Sequence, residues 1–288
     1  MKKLLTGAIN YYATHFRFPP RGFKIFFQCC KLFRIEQTFF LKKLPSGVLM
    51  KLGIADHIQR QLFWHNGYET EEINIICTML QPGDNFLDAG ANIGNHSLHA
   101  AQQVKSGTVI AFEPSPKTFE QLNSNIALNN FSNIITVQNA LSDKKEKVKL
   151  YLSNTANIGS TGLSASDEFS GETVEVTTIT GDEWLQQNFN NSIAGIKIDV
   201  EGHELEVLKG LQQRIGRDKP FVMIEILKST LERFGHNPQD IYQMLYAFDY
   251  SSWILSGEKL TPVENTFREG YSIFFLQQQH VRRLKNFM

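Results

Sequence analysis

The chain has 288 residues, which is enough for one large domain with an appendage and a substantial core. Its composition is globular, with 42% apolar and 20% charged residues and a formal net charge of zero at pH 7. The three cysteines, Cys29, Cys30 and Cys77, lack metal-ligand spacing, and such a sparse, odd number favours a reducing compartment, here the cytoplasm. No stretch approaches the roughly 18 uninterrupted apolar residues of a membrane-spanning helix, so none is expected.

The charge is distributed unevenly along the chain. Residues 1–60 contain eleven basic and two acidic side chains, a formal charge of +9, whereas residues 61–288 carry −9. The first segment is rich in phenylalanine, and Pro19-Pro20 and Pro45 divide it into short helical pieces. We interpret residues 1–60 as a basic, aromatic-rich helical arm packed on a main domain of residues 61–288. An alternative is an interfacial anchor that holds the protein peripherally at an anionic membrane. Nucleic acid is not an expected partner, because the segment carries no recognition motif.

The main domain begins with alternating helices and strands. A stripe of Ile73, Ile76 and Leu80 predicts a helix over 70–80, which Pro82-Gly83 ends. An apolar run then predicts a strand that ends at Asp88, followed by a tight loop and a helix from Ile93. A second buried strand is predicted over 108–113, and the prolines that follow it start another helix.

The second half of the chain continues this alternation. Strands are predicted over 133–138, 195–199 and 220–226, with helices after the last two, and an antiparallel pair over 250–255 and 271–276 closes the chain. Residues 147–152 and 172–178 alternate like an exposed antiparallel hairpin, and 153–171 is predicted to be a long mobile loop. The predicted fold class is therefore α/β, a doubly wound, mainly parallel seven-stranded sheet with an inserted β-hairpin.

The loop after the first strand has the composition of a ligand-binding turn. Gly90 and Gly94 permit close backbone approach or positive φ, and the helix start offers unpaired N–H groups to an anion. Asp88 stands at the strand end, where open α/β sheets bind ligands. A dinucleotide fingerprint would need glycine where Asn92 and Asn95 stand, so NAD and flavin dinucleotides are disfavoured. The loop resembles the Asp-x-Gly-x-Gly-x-Gly loop of class I S-adenosylmethionine-dependent methyltransferases, with Asn92 in place of the middle glycine.

Several predicted strands end in polar or acidic side chains, which a parallel sheet brings to one edge. Glu113 is placed to accept hydrogen bonds from ribose hydroxyls. Asn139, Ala140 and Leu141 are placed to meet the edge and face of an adenine. Together these residues point to a nucleoside ligand.

Six sequence blocks together resemble the FkbM family of methyltransferases, over residues 62–230. They are Gly67-Tyr68-Glu69, 87–94, Phe112-Glu113-Pro114, 139–142, Asp182-Glu183-Trp184 and 196–204. The resemblance implies S-adenosylmethionine as cofactor and a hydroxyl of a sugar, glycan or related small molecule as acceptor. The cofactor-binding residues that it implies are Glu69, Asp88, Gly90, Asn92, Gly94, Glu113, Pro114, Asn139, Ala140 and Leu141.

Methyl transfer to a hydroxyl needs a group that takes up the proton. Asp199, Glu201 and His203 stand together at a predicted strand-end turn, and we hypothesise that they line the acceptor site and that one of them is the base. Lys197, two positions earlier, is interpreted as an ion-pair partner of Asp199 or Glu225. A variant of the hypothesis places Mg²⁺ on Asp199 and Glu225.

The alternative function is a non-catalytic binding or scaffold protein on the same fold, anchored through the basic arm. A homo-oligomeric state is left open.

Overall fold

The computed structural model describes Gly7, Ile9, Tyr11 and residues 38–153, 161–164, 169–257, 259–263 and 271–287. The strands of this part are β1 (Phe39–Lys43), β2 (Leu49–Gly53), β3 (Phe86–Ala89), β4 (Val109–Phe112), β5 (Ile134–Val137), β6 (Ala140–Ser142), β7 (Lys147–Ser153), β8 (Phe169–Thr180), β9 (Gly195–Ile198), β10 (Phe221–Ile226), β11 (Ser251–Ser256), β12 (Lys259–Pro262) and β13 (Tyr271–Leu276). The helices are α1 (His57–His65), α2 (Thr70–Met79), α3 (Asn95–Val104), α4 (Pro116–Leu128), α5 (Gly181–Asn188), α6 (Glu204–Gly210), α7 (Gln212–Asp218), α8 (Lys228–Leu231), α9 (Pro238–Tyr246) and α10 (Gln278–Val281), with 3₁₀ turns at Glu232–Phe234 and Arg282–Phe287.

The central sheet has eight strands in the order β12-β11-β13-β10-β9-β3-β4-β5. Strands β10, β9, β3, β4 and β5 pair in parallel, whereas β13, β11 and β12 are added in antiparallel fashion. The α/β class and the parallel half of the sheet are as predicted. The predicted number of seven strands is wrong, because β12 adds an eighth strand at one edge by pairing with β11.

Helices cover both faces of the sheet, and the central strands are buried on both sides as a result. Leu87 and Phe112 pack into one core with α5, α6 and α9, while Phe86 and Val109 pack into the opposite core with α2 and α3. Strands covered on two faces read as continuous apolar runs, which is why β3 and β4 could be located in the sequence.

The inserted hairpin is present as predicted. Strands β7 and β8 pair in antiparallel fashion, and β6 joins β8 in parallel to make a separate three-stranded sheet. Of the predicted mobile loop over 153–171, residues 154–160 and 165–168 lie outside the described part of the chain.

The helical interpretation of the N-terminal arm is wrong for residues 39–53. They form an antiparallel hairpin of β1 and β2, closed by a turn in which Gly47 has φ 93°. Phe40, Met50 and Leu52 point to the interior and pack with Phe63 of α1. Every second residue of the segment is therefore buried, which is the pattern of a strand and not of a helix. The other residues of 1–37, apart from Gly7, Ile9 and Tyr11, lie outside the described part, and the predicted membrane contact rests mainly on them.

Within the described part of the chain, no helix has the length and apolar character needed to cross a membrane.

Candidate active site

A cavity of about 350 Å³ opens where the parallel strands end. Loops that follow β3, β4, β9 and β10 contribute to its wall, because the carboxyl ends of these parallel strands meet at one edge. Most of the predicted site residues line it: Glu69, Gly90, Asn92, Glu113, Pro114, Asn139, Ala140, Leu141, Asp199, Glu201, His203 and Glu225. Asp88 and Gly94 do not.

The Gly90 loop is held tightly against the end of β9. Gly90 has φ 78°, and a Cβ atom added there would lie 1.9 Å from the carbonyl oxygen of Asp199. Only glycine fits a position that combines positive φ with such close backbone approach. Gly94 begins α3 with φ 96°, and a Cβ atom there would lie 2.8 Å from the Leu122 side chain. Gly94 therefore shapes the loop from behind the cavity wall.

Lys197 connects this loop to two carboxylates beneath and beside it. Its Nζ donates to the carbonyl oxygen of Gly90 at 2.9 Å and lies 3.2 Å from Asp199 Oδ2 and 3.6 Å from Asp88 Oδ1. Burial alone would lower the pKa of Lys197, but Asp199, Asp88 and Glu69 raise it above its ordinary value. Lys197 is therefore a buried cation, and its predicted ion pair with Asp199 is present.

Asp88 lies below the cavity floor, with 0% of its side chain exposed. It stands opposite Lys197 in the register of β3 and β9, and it accepts a hydrogen bond from Ser97 Oγ at 2.6 Å. Asp88, which was predicted to bind the cofactor, therefore pairs with Lys197 and accepts a hydrogen bond from the first turns of α3.

Glu113 is anchored by two backbone groups of the neighbouring loops. Its Oε2 accepts from the N–H of Asn92 at 2.9 Å, and its Oε1 accepts from the N–H of Ser115 at 2.9 Å. Burial raises the pKa of Glu113 to about 7, although these two hydrogen bonds oppose the shift. Asn92 adopts φ 51° to present its N–H in this way. The carboxyl group is therefore held rigidly at the cavity wall, at the end of β4.

A second acidic group lies at the end of β9 and β10. The neighbouring Asp199 carboxylate, together with burial, raises the pKa of Glu225 well above its ordinary value, so Glu225 holds a proton at neutral pH. The Asp199 side chain is 30% exposed, and its Oδ2 lies beside the Lys197 ammonium. Glu201, next along the wall, has φ 58°, a strained conformation for this residue type.

His203 lines the cavity, but both of its ring nitrogens face protein groups. Nε2 lies 2.9 Å from Ser142 Oγ, and Nδ1 lies 3.6 Å from Glu206 Oε2. His236 contacts the other oxygen of Glu206. Burial lowers the pKa of His203, so its imidazole is neutral at pH 7.

The sequence interpretation missed several cavity-lining residues, and Tyr68, Asn95 and His96 are three polar ones that lie together. Asn95 Nδ2 donates to the carbonyl oxygen of Tyr68 at 2.9 Å, and His96 Nε2 lies 3.6 Å from Glu69 Oε2. The position of Asn95 and His96 in the first turn of a helix that follows the glycine loop could have revealed them.

The Mg²⁺ variant finds no support in the structure. In the described residues, no group of three or more His, Cys, Asp or Glu side chains is arranged to hold a metal ion. The proton held by Glu225 beside Asp199 also removes one of the two charges that such a site would need.

The residues present fit S-adenosylmethionine. The cavity volume falls within the range of about 300–1,000 Å³ typical of small-molecule sites. Glu113 offers a fixed carboxyl to ribose hydroxyls, and Ala140 and Leu141 offer an apolar surface to an adenine. A close-fitting backbone loop separates this part of the cavity from the acidic group at Asp199.

Comparison with known proteins agrees with this chemistry. The family described as Methyltransferase FkbM domain matches residues 88–252, which is more than half of the chain. The hexuronic acid methyltransferase AglP of Haloferax volcanii is 29% identical over 177 residues, covering 62% of this chain and 67% of AglP. The 31-O-demethyl-FK506 methyltransferase FkbM of Streptomyces tacrolimicus is 26% identical over 200 residues, covering 59% of this chain and 75% of that protein. A crystal structure of the methyltransferase FkbM of Methylobacillus flagellatus is similar with a TM-score of 0.45 at 17% identity, covering 69% of this chain and 48% of that one. The chain therefore belongs to the FkbM methyltransferase family and is an S-adenosylmethionine-dependent methyltransferase.

Proposed function

We propose that this enzyme methylates a hydroxyl group of a sugar, glycan or related small molecule. The observation that carries the proposal is the group of Asp199, Glu201 and Glu225 on the cavity wall, across the Gly90 loop from Glu113. Carboxyl groups in both protonation states can accept from and donate to the hydroxyls of a polyol. The name of the relative AglP, a hexuronic acid methyltransferase, supports a sugar-type acceptor.

The cofactor-binding residues in this proposal are those predicted from the sequence, with their tasks refined by their positions. Glu113 binds the ribose, and Asn139, Ala140 and Leu141 surround the adenine. Gly90 and Asn92 supply the backbone between these two parts, and Pro114 and Glu69 complete the wall. Asp88 and Gly94 do not line the cavity. They support it indirectly, Asp88 through its ion pair with Lys197 and Gly94 through the shape of the loop.

Bound S-adenosylmethionine supplies a methyl group on a sulfonium whose sulfur leaves as a neutral thioether. The protein has to align the acceptor oxygen with that methyl group and take up the hydroxyl proton as the new C–O bond forms. Asp199 suits the second task best, because it reaches the cavity, lies 3.2 Å from the Lys197 ammonium and has Glu225 as a hydrogen-bonding neighbour. Lys197 keeps Asp199 in place from behind.

Of the other two candidate bases, His203 is the less available. A hydroxyl would have to displace Ser142 from Nε2, or reach the buried Nδ1 that faces Glu206, before the imidazole could accept its proton. Glu201 stays a candidate for binding the acceptor, since it lines the cavity one residue from the turn at Gly202.

The test is methyl transfer from isotope-labelled S-adenosylmethionine to a panel of neutral sugars, uronic acids and amines. We expect a product that resists mild alkali, as a methyl ether does and a methyl ester does not. Asp199→Asn should lower kcat by about 10²- to 10⁴-fold, the typical contribution of a positioned proton acceptor. Its affinity for S-adenosylhomocysteine should stay within about threefold of the wild type if Asp199 serves the acceptor rather than the cofactor.

Two results would reject the proposal. An alkali-labile product would show that a carboxylate is the acceptor, and transfer only to amines would show N-methylation. Glu201→Gln and His203→Gln serve as parallel variants, and a larger loss of kcat in either would move the role of base away from Asp199.

A further inference from the structure

The β1–β2 hairpin has an outer face that combines apolar and basic side chains. Alternate residues of both strands point outward, and the register places Leu41 opposite Lys51 and Lys43 opposite Leu49. Phe39 completes this set of five side chains, which we call the hairpin face. An antiparallel pair with one buried side usually presents polar side chains to water, so the apolar members of the hairpin face need an explanation.

Phe39 and Leu41 are exposed side by side. They are 46% and 56% exposed, and residues two apart on a strand share one face. The core under the hairpin is built from Phe40, Met50 and Leu52 instead. Single exposed apolar side chains are ordinary, whereas adjacent ones mark surfaces that bind a partner or a membrane. The pair therefore indicates an interaction surface.

The hairpin is fixed to the body of the domain, so its outer face has a defined position. The N–H of Leu49 donates to Asn129 Oδ1 at 2.7 Å, and the N–H of Lys51 donates to Asn125 Oδ1 at 2.8 Å. Gln121 Nε2 donates to the carbonyl oxygen of Lys51 at 3.0 Å. Side chains of α4 and its C-cap thus occupy backbone groups of β2 that an added strand would need, which favours contact through the face over strand pairing along β2.

The charge of this region complements an anionic surface. Lys43 and Lys51 are exposed, and Lys51 Nζ lies 4.9 Å from the centroid of the Phe39 ring. Residues 37–55 contain no Asp or Glu, and residues 1–36, which lead into β1, carry seven basic side chains and one acidic side chain. A lysine beside an aromatic ring can keep its ammonium among lipid headgroups while the ring enters the apolar boundary beneath them.

We propose that the hairpin face docks the enzyme on an anionic lipid bilayer. Phe39 and Leu41 enter the boundary between headgroups and acyl chains, and Lys43 and Lys51 contact the lipid phosphates. A protein partner usually buries about 20–30 residues on each side, whereas a few apolar and basic side chains suffice for an interfacial anchor. The hairpin face has the second composition, and its docking does not depend on which acceptor is methylated.

Helix α1 connects the hairpin to the cavity. Phe63 of α1 packs beneath the hairpin, and Ile58 of the same helix lines the cavity wall. The five side chains of the hairpin face do not line the cavity. Variants of this face can therefore be tested for membrane binding while S-adenosylhomocysteine binding in solution reports on the intact site.

Co-sedimentation of the full chain with lipid vesicles tests the proposal. The wild type should bind vesicles made of equal parts phosphatidylcholine and phosphatidylglycerol, and its binding to phosphatidylcholine alone should be at least about tenfold weaker. Raising the salt concentration from about 0.1 M to 1 M shortens the Debye length from about 10 Å to about 3 Å, so most of this preference should be lost.

Two serine variants test the apolar members of the hairpin face. Leu41→Ser should weaken binding to the anionic vesicles about fivefold, and Phe39→Ser combined with Leu41→Ser should weaken it about 10- to 100-fold, because the inserted apolar area is removed. Ile135→Ser is the matched control, since Ile135 is also exposed, at 38%, but lies on β5. Its vesicle binding should stay within about twofold of the wild type.

A pair of glutamine substitutions tests the basic members. Lys43→Gln combined with Lys51→Gln should weaken binding to the anionic vesicles about 25-fold, or about fivefold for each lysine near an anionic surface. Lys147→Gln combined with Lys149→Gln removes the same charge from exposed positions of β7, and its effect should stay below about threefold. S-Adenosylhomocysteine binding should match the wild type in all of these variants.

An added tryptophan reports insertion directly. The emission that Leu41→Trp adds should shift to shorter wavelength on anionic vesicles and be quenched by brominated acyl chains. Ile135→Trp should show neither change.

Three results would overturn the proposal. The first is a wild type that does not bind anionic vesicles, and self-association of the full chain in its place would give the hairpin face to a second copy. The second is vesicle binding that stays unchanged in the serine and glutamine variants, which would move the contact to other residues. The third is complete competition by lipid-free poly-L-glutamate, which would show that charge alone is recognised, as on an acidic protein.

Discussion

Replacing Lys197 with methionine tests the charge arrangement beneath the cavity. Asp88 has 0% of its side chain exposed, and the Lys197 ammonium lies 3.6 Å from it. Removing one member of a buried ion pair leaves an uncompensated charge, which typically lowers the free energy of unfolding by about 3–5 kcal/mol. Methionine fills a similar volume, so packing changes contribute little to this loss. We therefore expect a loss of about 3–5 kcal/mol for Lys197→Met, together with weaker S-adenosylhomocysteine binding, since the Gly90 carbonyl loses its donor.

Urea denaturation followed by circular dichroism measures this loss. Adding Asp88→Asn should restore about 1–3 kcal/mol, because no unpaired charge is then buried and Ser97 can still donate to an amide oxygen. Lys147→Met is the matched control: its ion pair with Glu175 joins side chains that are 72% and 64% exposed, so no measurable change is expected. A loss below about 1 kcal/mol in Lys197→Met, or no recovery on adding Asp88→Asn, would refute the reasoning.

Two further predictions concern the loop and the ribose side of the cavity. Gly90→Ala should lower the free energy of unfolding by at least about 1–3 kcal/mol and abolish S-adenosylhomocysteine binding, since its Cβ atom would lie 1.9 Å from the Asp199 carbonyl oxygen; thermal unfolding with and without ligand measures both. Glu113 has a pKa raised from 4.5 to about 7, so its contribution to stability is present at low pH and is lost as the pH rises toward 7. Glu113→Gln should make the fall in thermal stability between pH 4.5 and 7 shallower, with the remaining slope due to Glu69, Glu204 and Glu225, and should weaken binding of both S-adenosylhomocysteine and 5′-methylthioadenosine. An unchanged slope would show that Glu113 does not contribute to this fall in stability.

The parts of the site that lie next to one another in sequence could be predicted without coordinates. β3 and β4 are short, fully buried runs, with Asp88 near the end of β3 and Glu113 directly after β4, and these patterns are local. Parallel strands that alternate with helices must end at one edge, so Glu113 and Asp199 could be expected to meet there. The conformational demand on Gly90 also follows from the sequence of a strand, a tight loop and a helix.

Contacts between distant segments depend on register and packing, which composition does not encode. Whether Asp88 faces the cavity or Lys197 is settled by the pairing of β3 with β9, and the result is an ion pair beneath the floor. Residues 39–53 were interpreted as helical because the prolines suggested short helical pieces, yet burial against α1 and α4 favours a hairpin.

The sequence by itself thus determined the α/β class, the glycine loop and the acids that follow the strands, because each depends on neighbours within a few residues. Only the tertiary structure decided which acids reach the cavity. It buries Asp88 and brings Glu69 to His96 across two helix starts, and desolvation then changes the protonation of carboxyl groups that look alike in the sequence.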